Sequence, residues 1–207
     1  MKPRLTPQSL SEGVAYLVDR DRHLKSVVIR YGQPPLWDRK EGFATLIYII
    51  IEQQVSIASA RAVYGRLLDK VTPLTPANFL AVSDAALKSV GLSRQKVSYG
   101  RNLARAISDG DLDPAALSGF DDDRVKKELT RIKGIGSWTA DIYLLMALRR
   151  PDAWPAGDLA LALAVQKLKH YKARPSPERL ESISRPWRPW RAVAARILWH
   201  YYLSGGK

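Results

Sequence analysis

The apolar residues of this 207-residue chain recur three and four positions apart along most of its length, which is the spacing of helices with one buried face. No stretch shows the sustained apolar and polar alternation of a half-buried strand. Clusters of glycine and proline separate the helical segments. We therefore predict an all-α fold. The predicted helices are 9–20, 39–54, 57–70, 76–89, 95–109, 121–133, 138–148, 159–169, 177–184 and 190–203.

The composition indicates a folded chain and excludes several kinds of site. With 46% hydrophobic and 26% charged residues the chain can bury a core, and no linker marks independent domains. The absence of cysteine excludes disulfides, thiolate zinc sites, a catalytic cysteine and a cysteine-held iron–sulfur cluster. The longest largely apolar run, 44–51, is too short to span a bilayer, and the N-terminus lacks a secretory pattern. We therefore expect a cytoplasmic protein without membrane contact.

The chain is basic, and its charge is unevenly distributed. Thirty-three Lys and Arg against twenty Asp and Glu give a formal net charge of +13. Residues 167–196 carry nine basic and two acidic side chains, whereas residues 109–123 carry six Asp and no Lys or Arg. Such an excess favours a polyanionic partner, above all nucleic acid, because neutralised phosphates release their condensed counterions. The alternative is that the charge only maintains solubility.

The most informative motif is a tight glycine turn between two helical segments, within residues 129–143. Because Gly134 and Gly136 lack Cβ atoms, the backbone can turn sharply there and approach another surface, while Ile135 between them can anchor the turn in the core. The amides of the turn and of the next helix start would then form an anion site for a nucleic-acid phosphate. The alternative is a helix connection that binds nothing.

Several motifs together resemble a known family. Lys133-Gly-Ile-Gly-Ser-Trp-Thr-Ala-Asp, followed by Trp154-Pro-Ala-Gly-Asp-Leu, is similar to the helix-hairpin-helix motif and downstream aspartate of base-excision DNA glycosylases, especially the alkylpurine, 3-methyladenine DNA glycosylase II type. Glu52-Gln-Gln-Val-Ser, Gly91-Leu-Ser-Arg-Gln-Lys and Trp187-Arg-Pro-Trp-Arg resemble further family signatures in the same order. The likeness covers about residues 43–202.

The resemblance implies a two-lobed helix-hairpin-helix glycosylase fold with a cleft between the lobes, in one domain, 1–207. Lobe A would comprise about 55–150, with the hairpin at 129–143, and lobe B about 1–54 and 151–207. The implied protein is a monomer, nucleoid-associated in a bacterium or nuclear in a eukaryote. It would excise 3-methyladenine and 7-methylguanine from double-stranded DNA by base flipping and hydrolysis of the N-glycosidic bond, which initiates base excision repair.

The resemblance also implies that Asp158 is the catalytic carboxylate, and the local sequence agrees. Breaking an N-glycosidic bond builds positive charge on the sugar, which an ionised carboxylate beside C1′ stabilises. Asp158 is predicted to begin a helix, where the amides and the dipole favour an anion. Without the upstream hairpin, the same position would indicate a plain helix cap. Asp152, Asp141 and Glu52 are weaker candidates.

The aromatic residues bear on mechanism and on substrate. Bifunctional relatives, which also nick the strand, have a lysine at the position of Trp138 that forms a Schiff base, so tryptophan predicts a monofunctional enzyme. An alkylated purine is cationic and electron-poor and stacks well on aromatic faces. The residues expected to line its pocket are Trp138, Trp199, Tyr143 and Trp154. At Ile142 the chain departs from the bacterial family pattern, which has an aromatic residue there.

The remaining implied contacts are with the DNA backbone and the stack. Gln54, with Gln53 as second candidate, matches the side chain that fills the gap left by an extruded base. Arg188, Arg191, Lys96 and Arg94 are candidate phosphate contacts, although a solvated charge is the alternative for each. The predicted DNA-binding set is Gly134, Gly136, Ser137, Thr139, Gln53, Gln54, Lys96, Arg188 and Arg191.

Related hairpins also hold a monovalent cation through backbone carbonyls, which implies a Na⁺ or K⁺ at Thr130, Ile132 and Ile135. No other cofactor is expected, because His23, His170 and His200 lack the spacing of metal ligands. Two alternatives stay open. One is a glycosylase for another lesion, hypoxanthine or an oxidised purine. The other is a non-catalytic helix-hairpin-helix protein that binds DNA or senses damage.

Overall fold

The structure is a computed structural model that describes residues 2–205, and within this range it contains helices and no strands, which confirms the predicted fold class. The α-helices are α1 (Pro7–Arg20), α2 (Arg22–Tyr31), α3 (Phe43–Glu52), α4 (Ile57–Lys70), α5 (Pro76–Ala81), α6 (Asp84–Ser89), α7 (Arg94–Ser108), α8 (Asp122–Thr130), α9 (Ser137–Met146), α10 (Leu159–Leu168), α11 (Pro177–Ser184) and α12 (Arg191–Leu203). Short 3₁₀ turns lie at Ala116–Gly119 and Arg185–Trp187. None of the described helices has both the length and the apolar character that a membrane span requires.

The described residues form two compact units. Unit 1 comprises Arg39–Tyr143 with Lys2, and unit 2 comprises Pro3–Asp38 and the described residues from Leu144 onward. The first boundary therefore lies near residue 39 and the second near 144, whereas the sequence analysis placed them near 55 and 151. The first difference has a physical reason, because α3 packs on α4 and α7 of unit 1.

Unit 1 is built around α3, the most apolar of its helices. All of its isoleucines are at most 2% exposed, as expected for a helix that is apolar nearly all round. The helix packs against α4 and α7, and α5 covers another part of α7. Gly100 permits the last contact, because a Cβ there would lie 2.7 Å from Cζ of Phe79. The predicted central position of this helix is thus confirmed within unit 1.

Unit 2 is built around α12, which is buried from Arg191 to Trp199 and packs against α10, α2 and α1. The contact with α1 is close. A Cβ on Gly13 would lie 2.8 Å from side-chain atoms of both Trp190 and Val193, so a larger residue would force the helices apart.

The number of helices differs from the prediction in two places. The sequence analysis missed α2, because its buried residues are only Leu24 and Val27 and because it follows α1 with one intervening residue, Asp21. That aspartate accepts hydrogen bonds from the His23 and Leu24 amides and so caps α2. The predicted helix 76–89 is two helices, since the chain is extended at Val82 and a new helix begins after a serine cap.

Candidate functional site

The glycine turn between α8 and α9 has the predicted form, and Gly134 is the residue that its backbone requires. Gly134 adopts φ 109°, which side-chain-bearing residues rarely adopt. A Cβ at this position would also overlap the ring of Tyr99 on α7. Ile135 is 4% exposed, so it anchors the turn inside unit 1 as predicted. The turn is therefore held against α7 by packing.

Gly136 differs from Gly134, because a Cβ at Gly136 would meet no protein atom within 4 Å. Gly136 and Ser137 are both exposed, and α9 begins at Ser137. The first amides of a helix lack intrahelical partners, so this exposed helix start can donate hydrogen bonds to an anion. Gly136 thus combines open space for a ligand with nearby backbone N–H donors.

We expect the substitutions Gly134→Ala and Gly136→Ala to change different properties. Alanine at 134 should lower the free energy of unfolding by about 2–4 kcal/mol, through backbone strain and overlap with Tyr99. Alanine at 136 should change it by no more than about 0.5 kcal/mol, because nothing is displaced. It should instead weaken binding of duplex DNA, the ligand that the resemblance implies. Urea unfolding and DNA titration measure the two effects, and a destabilised Gly136→Ala variant would contradict the assignment.

The structure separates the two glutamines at the end of α3. Nε2 of Gln53 donates to the Gly134 carbonyl and to Oγ1 of Thr139, both at 3.0 Å. Gln54 is exposed and adopts φ 57°, a left-handed conformation. Thr139 is 1% exposed, so it is not the exposed DNA contact that was predicted. Gln53 is likewise engaged inside unit 1, which leaves Gln54 as the outward side chain.

Lys96, a predicted phosphate contact, is part-buried and bonded to the backbone of the protein. Its Nζ donates to the Ile51 carbonyl at 2.7 Å, at the end of α3, and partial burial lowers the pKa of the ammonium group. A cation at this position satisfies a C-terminal carbonyl and interacts favourably with the helix dipole. Lys96 is thus part of the structural support of α3, a role that the sequence analysis did not predict.

Asp158 lies at the N-terminus of α10, as predicted, and is 8% exposed. Its Oδ1 accepts the Leu161 amide at 2.9 Å and Nε1 of Trp199 at 3.1 Å. Both donors therefore direct a hydrogen at the same carboxylate oxygen, at the helix end where the backbone amides also point. The structure thus brings together the predicted catalytic aspartate and one predicted pocket tryptophan. The plain-cap interpretation accounts for the Leu161 bond but not for the indole.

Two other predicted pocket residues are committed to the cores of their own units. Tyr143 is 0% exposed, and its hydroxyl accepts the Gly42 amide at 3.0 Å in unit 1. Trp154 is 3% exposed and packs edge-to-face on Trp187 in unit 2, with ring centroids 5.5 Å apart. A ring without exposed surface cannot stack on a ligand, so these two predictions are corrected. Trp138 is half-buried on the first turn of α9.

The two C-terminal arginines also differ from each other. Arg191 is 9% exposed; it forms a fork with Asp152, at 2.9 and 2.8 Å, and reaches Glu181 at 2.9 Å. Two carboxylates already neutralise this guanidinium, so it is not a phosphate contact. The side chain of Arg188 is 58% exposed and lies 3.3 Å from Asp152 at its closest approach. Of the pair, only Arg188 retains the exposure that a DNA contact needs.

The weaker acidic candidates all serve the fold. Asp152 pairs with the arginines above, and Glu52 forms a fork with Arg39 at 2.7 and 2.8 Å. Asp141 is 6% exposed and lies 2.6 Å from Nζ of Lys126, which ties α9 to α8. Residues 2–205 hold no cluster of three or more His, Asp or Glu side chains that suits a metal ion.

One face of α7 carries contacts that the sequence analysis missed. Tyr99 packs on Gly134, and Nδ2 of Asn102 donates to the Lys133 carbonyl at 3.1 Å. Together with Lys96 they are spaced three residues apart, so they follow one side of the helix. This spacing was a signal in the sequence, but the side chains are polar and did not indicate a buried contact. The face supports both the end of α3 and the hairpin.

Comparisons with known proteins identify the family and the fold. Residues 47–189 match the model of the HhH-GPD superfamily base excision DNA repair protein. The DNA-3-methyladenine glycosylase of Bacillus subtilis is 29% identical over 131 residues, which cover 63% of this chain but 41% of that relative, so the match spans less than half of its length. The crystal structure of a DNA-3-methyladenine glycosidase from Bacillus halodurans is 32% identical in sequence, with a TM-score of 0.74. The superposition covers 92% of this chain and 88% of that one. The 3-methyladenine DNA glycosylase of Schizosaccharomyces pombe in complex with abasic DNA is similar in fold, with a TM-score of 0.88 at 24% identity, covering 95% and 98%.

Proposed function

This chain belongs to the HhH-GPD superfamily of base excision DNA repair proteins, and on that premise we propose that it is a monofunctional DNA glycosylase for alkylated purines. Its substrates are 3-methyladenine and 7-methylguanine in double-stranded DNA, and its reaction initiates base excision repair. One observation carries the proposal. A buried carboxylate, Asp158, lies at a helix N-terminus and is held there by a hydrogen bond from the indole of Trp199.

Asp158 acts electrostatically in this proposal. As the C1′–N bond breaks, its electron pair leaves with the cationic alkylated base, which departs neutral. Positive charge develops on the sugar, and the carboxylate stabilises it. Water then adds its oxygen to C1′ and loses one proton, which gives an abasic site. The Leu161 amide and the Trp199 indole hold Oδ1, so the carboxylate does not reorient during the reaction.

The aromatic contribution in this proposal rests on Trp138, whose side chain is half-buried. A cationic purine gains more from an indole face than a neutral purine does, since the ring quadrupole attracts positive charge. The glycosidic bond of such a base is already weakened, so stacking and one carboxylate suffice without a strong general acid. This preference for cationic bases is what favours alkylated purines over hypoxanthine or oxidised purines.

The hairpin binds the DNA backbone in this proposal. The exposed turn at Gly136 and the amides at the start of α9 bind a phosphate without regard to sequence. The carbonyl oxygens of Thr130, Ile132 and Ile135 would be the ligands of a Na⁺ or K⁺ ion in this proposal. The Ile132 oxygen accepts the Ile135 amide at 3.0 Å and keeps a second lone pair. Stronger DNA binding in K⁺ than in tetramethylammonium at equal ionic strength would support this cation.

We also propose that the protein acts as a monomer and has no lyase activity. A lyase needs an amine that forms a Schiff base with the sugar, and residue 138 is a tryptophan. Borohydride added during turnover should therefore trap no covalent protein–DNA adduct, and the product strand should stay intact until heated in alkali. A trapped adduct on a denaturing gel would contradict this prediction.

Base release from methylated DNA tests the proposed function. Genomic DNA treated with a methylating agent is incubated with the protein, and chromatography identifies the freed bases. We expect 3-methyladenine and 7-methylguanine. Release of hypoxanthine from a deaminated duplex, with no methylated base, would favour the glycosylase for another lesion. Binding without release of any base would favour the non-catalytic alternative.

A further inference from the structure

The four-residue loop between α3 and α4 presents one side chain outward under tight local control. Gln54 is exposed and left-handed, and the neighbouring Val55 is 43% exposed. Two residues later Ser56 caps α4, because its hydroxyl accepts the Ser59 amide. The C-terminal end of the loop is therefore fixed by this helix cap.

The helices on both sides of this loop are also braced. Tyr48 on α3 stacks on Tyr64 on α4, with ring centroids 4.3 Å apart and an interplanar angle of 20°. Lys96 holds the Ile51 carbonyl, and Glu52 is held by Arg39. Each residue of the α3 terminus is thus tied to a different part of unit 1.

Gln53 makes the last of these contacts, and its hydrogen bonds are the ones that reach the hairpin. The amide nitrogen must face Gly134, because the Gly134 oxygen only accepts hydrogen bonds. Its two hydrogens bond the Gly134 carbonyl and Oγ1 of Thr139, at 3.0 Å each. The side chain of Gln53 therefore joins the hairpin to the residue that precedes Gln54.

We propose that Gln53 is a positioning residue that couples the hairpin to Gln54. This inference rests on the proposed function, in which the hairpin binds the backbone and Gln54 enters the stack. Gln53 keeps the distance between those two contacts fixed, so that Gln54 meets the stack at a set position relative to the bound phosphate. Gln53 itself touches no DNA.

The test compares binding to damaged and undamaged DNA, because this needs no catalysis. One duplex contains a tetrahydrofuran abasic site with 2-aminopurine beside it, and the other is intact. We expect Gln53→Met to lower the ratio of the two affinities on the order of tenfold, which is the effect of losing roughly one good contact. It should also reduce the change in 2-aminopurine emission at saturation. Thr139→Val removes one acceptor from the other side and should act in the same direction.

A double-mutant cycle with Gln54→Ala distinguishes positioning from simple support. In the Gln54→Ala background, Gln53→Met should lower the affinity ratio no further, because the side chain it positions is gone. Asn78→Ala is the matched control, since it removes a comparable amide-to-carbonyl bond, 2.8 Å to Pro73, elsewhere in unit 1. We expect this control to behave as the parent protein does.

Three results would overturn the proposal. The first is a Gln53→Met protein with the parent's affinity ratio and emission. The second is an equal loss in the Gln54→Ala background or for both duplexes, which would mean that Gln53 is only structural. The third is no emission change with the parent protein. If the parent changes the emission but releases no base from methylated DNA, the glycosylase proposal fails while the positioning role stands.

Discussion

Replacing Asp158 with asparagine is expected to lower the single-turnover release of 7-methylguanine by about 10²–10³-fold or more, because the negative charge beside the developing cation is lost. The fold should survive. Asparagine caps helices nearly as well as aspartate, and its carbonyl oxygen can still accept the Leu161 amide and the Trp199 indole. Release is measured by chromatography with protein in excess over DNA.

Asp121→Asn provides a matched control for this variant. Asp121 caps α8 as Asp158 caps α10, with Oδ1 accepting the Arg124 amide at 2.8 Å, but it is exposed. We expect this control to release base at nearly the parent rate. We also expect Asp158→Asn to bind an abasic duplex almost as tightly as the parent does. A fully active Asp158→Asn protein would show that the carboxylate is only a cap.

Replacing Arg196 with methionine is expected to lower the free energy of unfolding by about 3–5 kcal/mol, since it removes the partner of several buried carbonyls. Arg196 is 0% exposed and donates to the carbonyls of Leu36, Leu145 and Ala192 at 2.6, 2.9 and 3.0 Å. Burial lowers the pKa of its guanidinium to about 10, so it remains charged at neutral pH. Three segments of unit 2 therefore converge on one side chain.

Urea unfolding of three variants separates shape from charge at this position. Arg196→Lys keeps the charge but lacks the planar guanidinium that reaches three carbonyls. We therefore expect its free energy of unfolding to lie between those of the parent and of Arg196→Met. Arg174→Met, at an exposed position of unit 2, should change stability by less than about 0.5 kcal/mol. An unchanged unfolding midpoint for Arg196→Met would contradict the proposed role of this arginine.

The secondary structure was largely predictable because its signals are local. Serine and aspartate caps mark the starts of α4, α7 and α8, and glycine and proline mark the breaks. The failure at α2 has a local cause as well. Its buried face has few apolar residues, and the single residue Asp21 both ends α1 and begins α2, so the sequence analysis ended a helix at residue 20 and predicted none at 22–31.

The prediction of individual site residues depended on how far away their partners lie. Asp158 was predictable as a cap because its partner Leu161 is three residues away. Tyr143 was not, because its hydroxyl bonds an amide at Gly42, about a hundred positions earlier. Arg191 and Lys96 failed in the same way, since their partners lie 39 and 45 positions away in the chain.

The sequence by itself thus determined most of the helices, the glycine turn and the position of the helix-capping aspartate, because these follow from dihedral preferences and hydrogen bonds within a few residues. Only the tertiary structure decided which polar and aromatic side chains remain available to a ligand. A hydrogen-bonding group binds whichever partner packing places beside it, and packing joins distant segments. Gln53 and Gln54 illustrate the difference, since the same residue type in adjacent positions is in one case bonded to the hairpin and in the other turned to solvent.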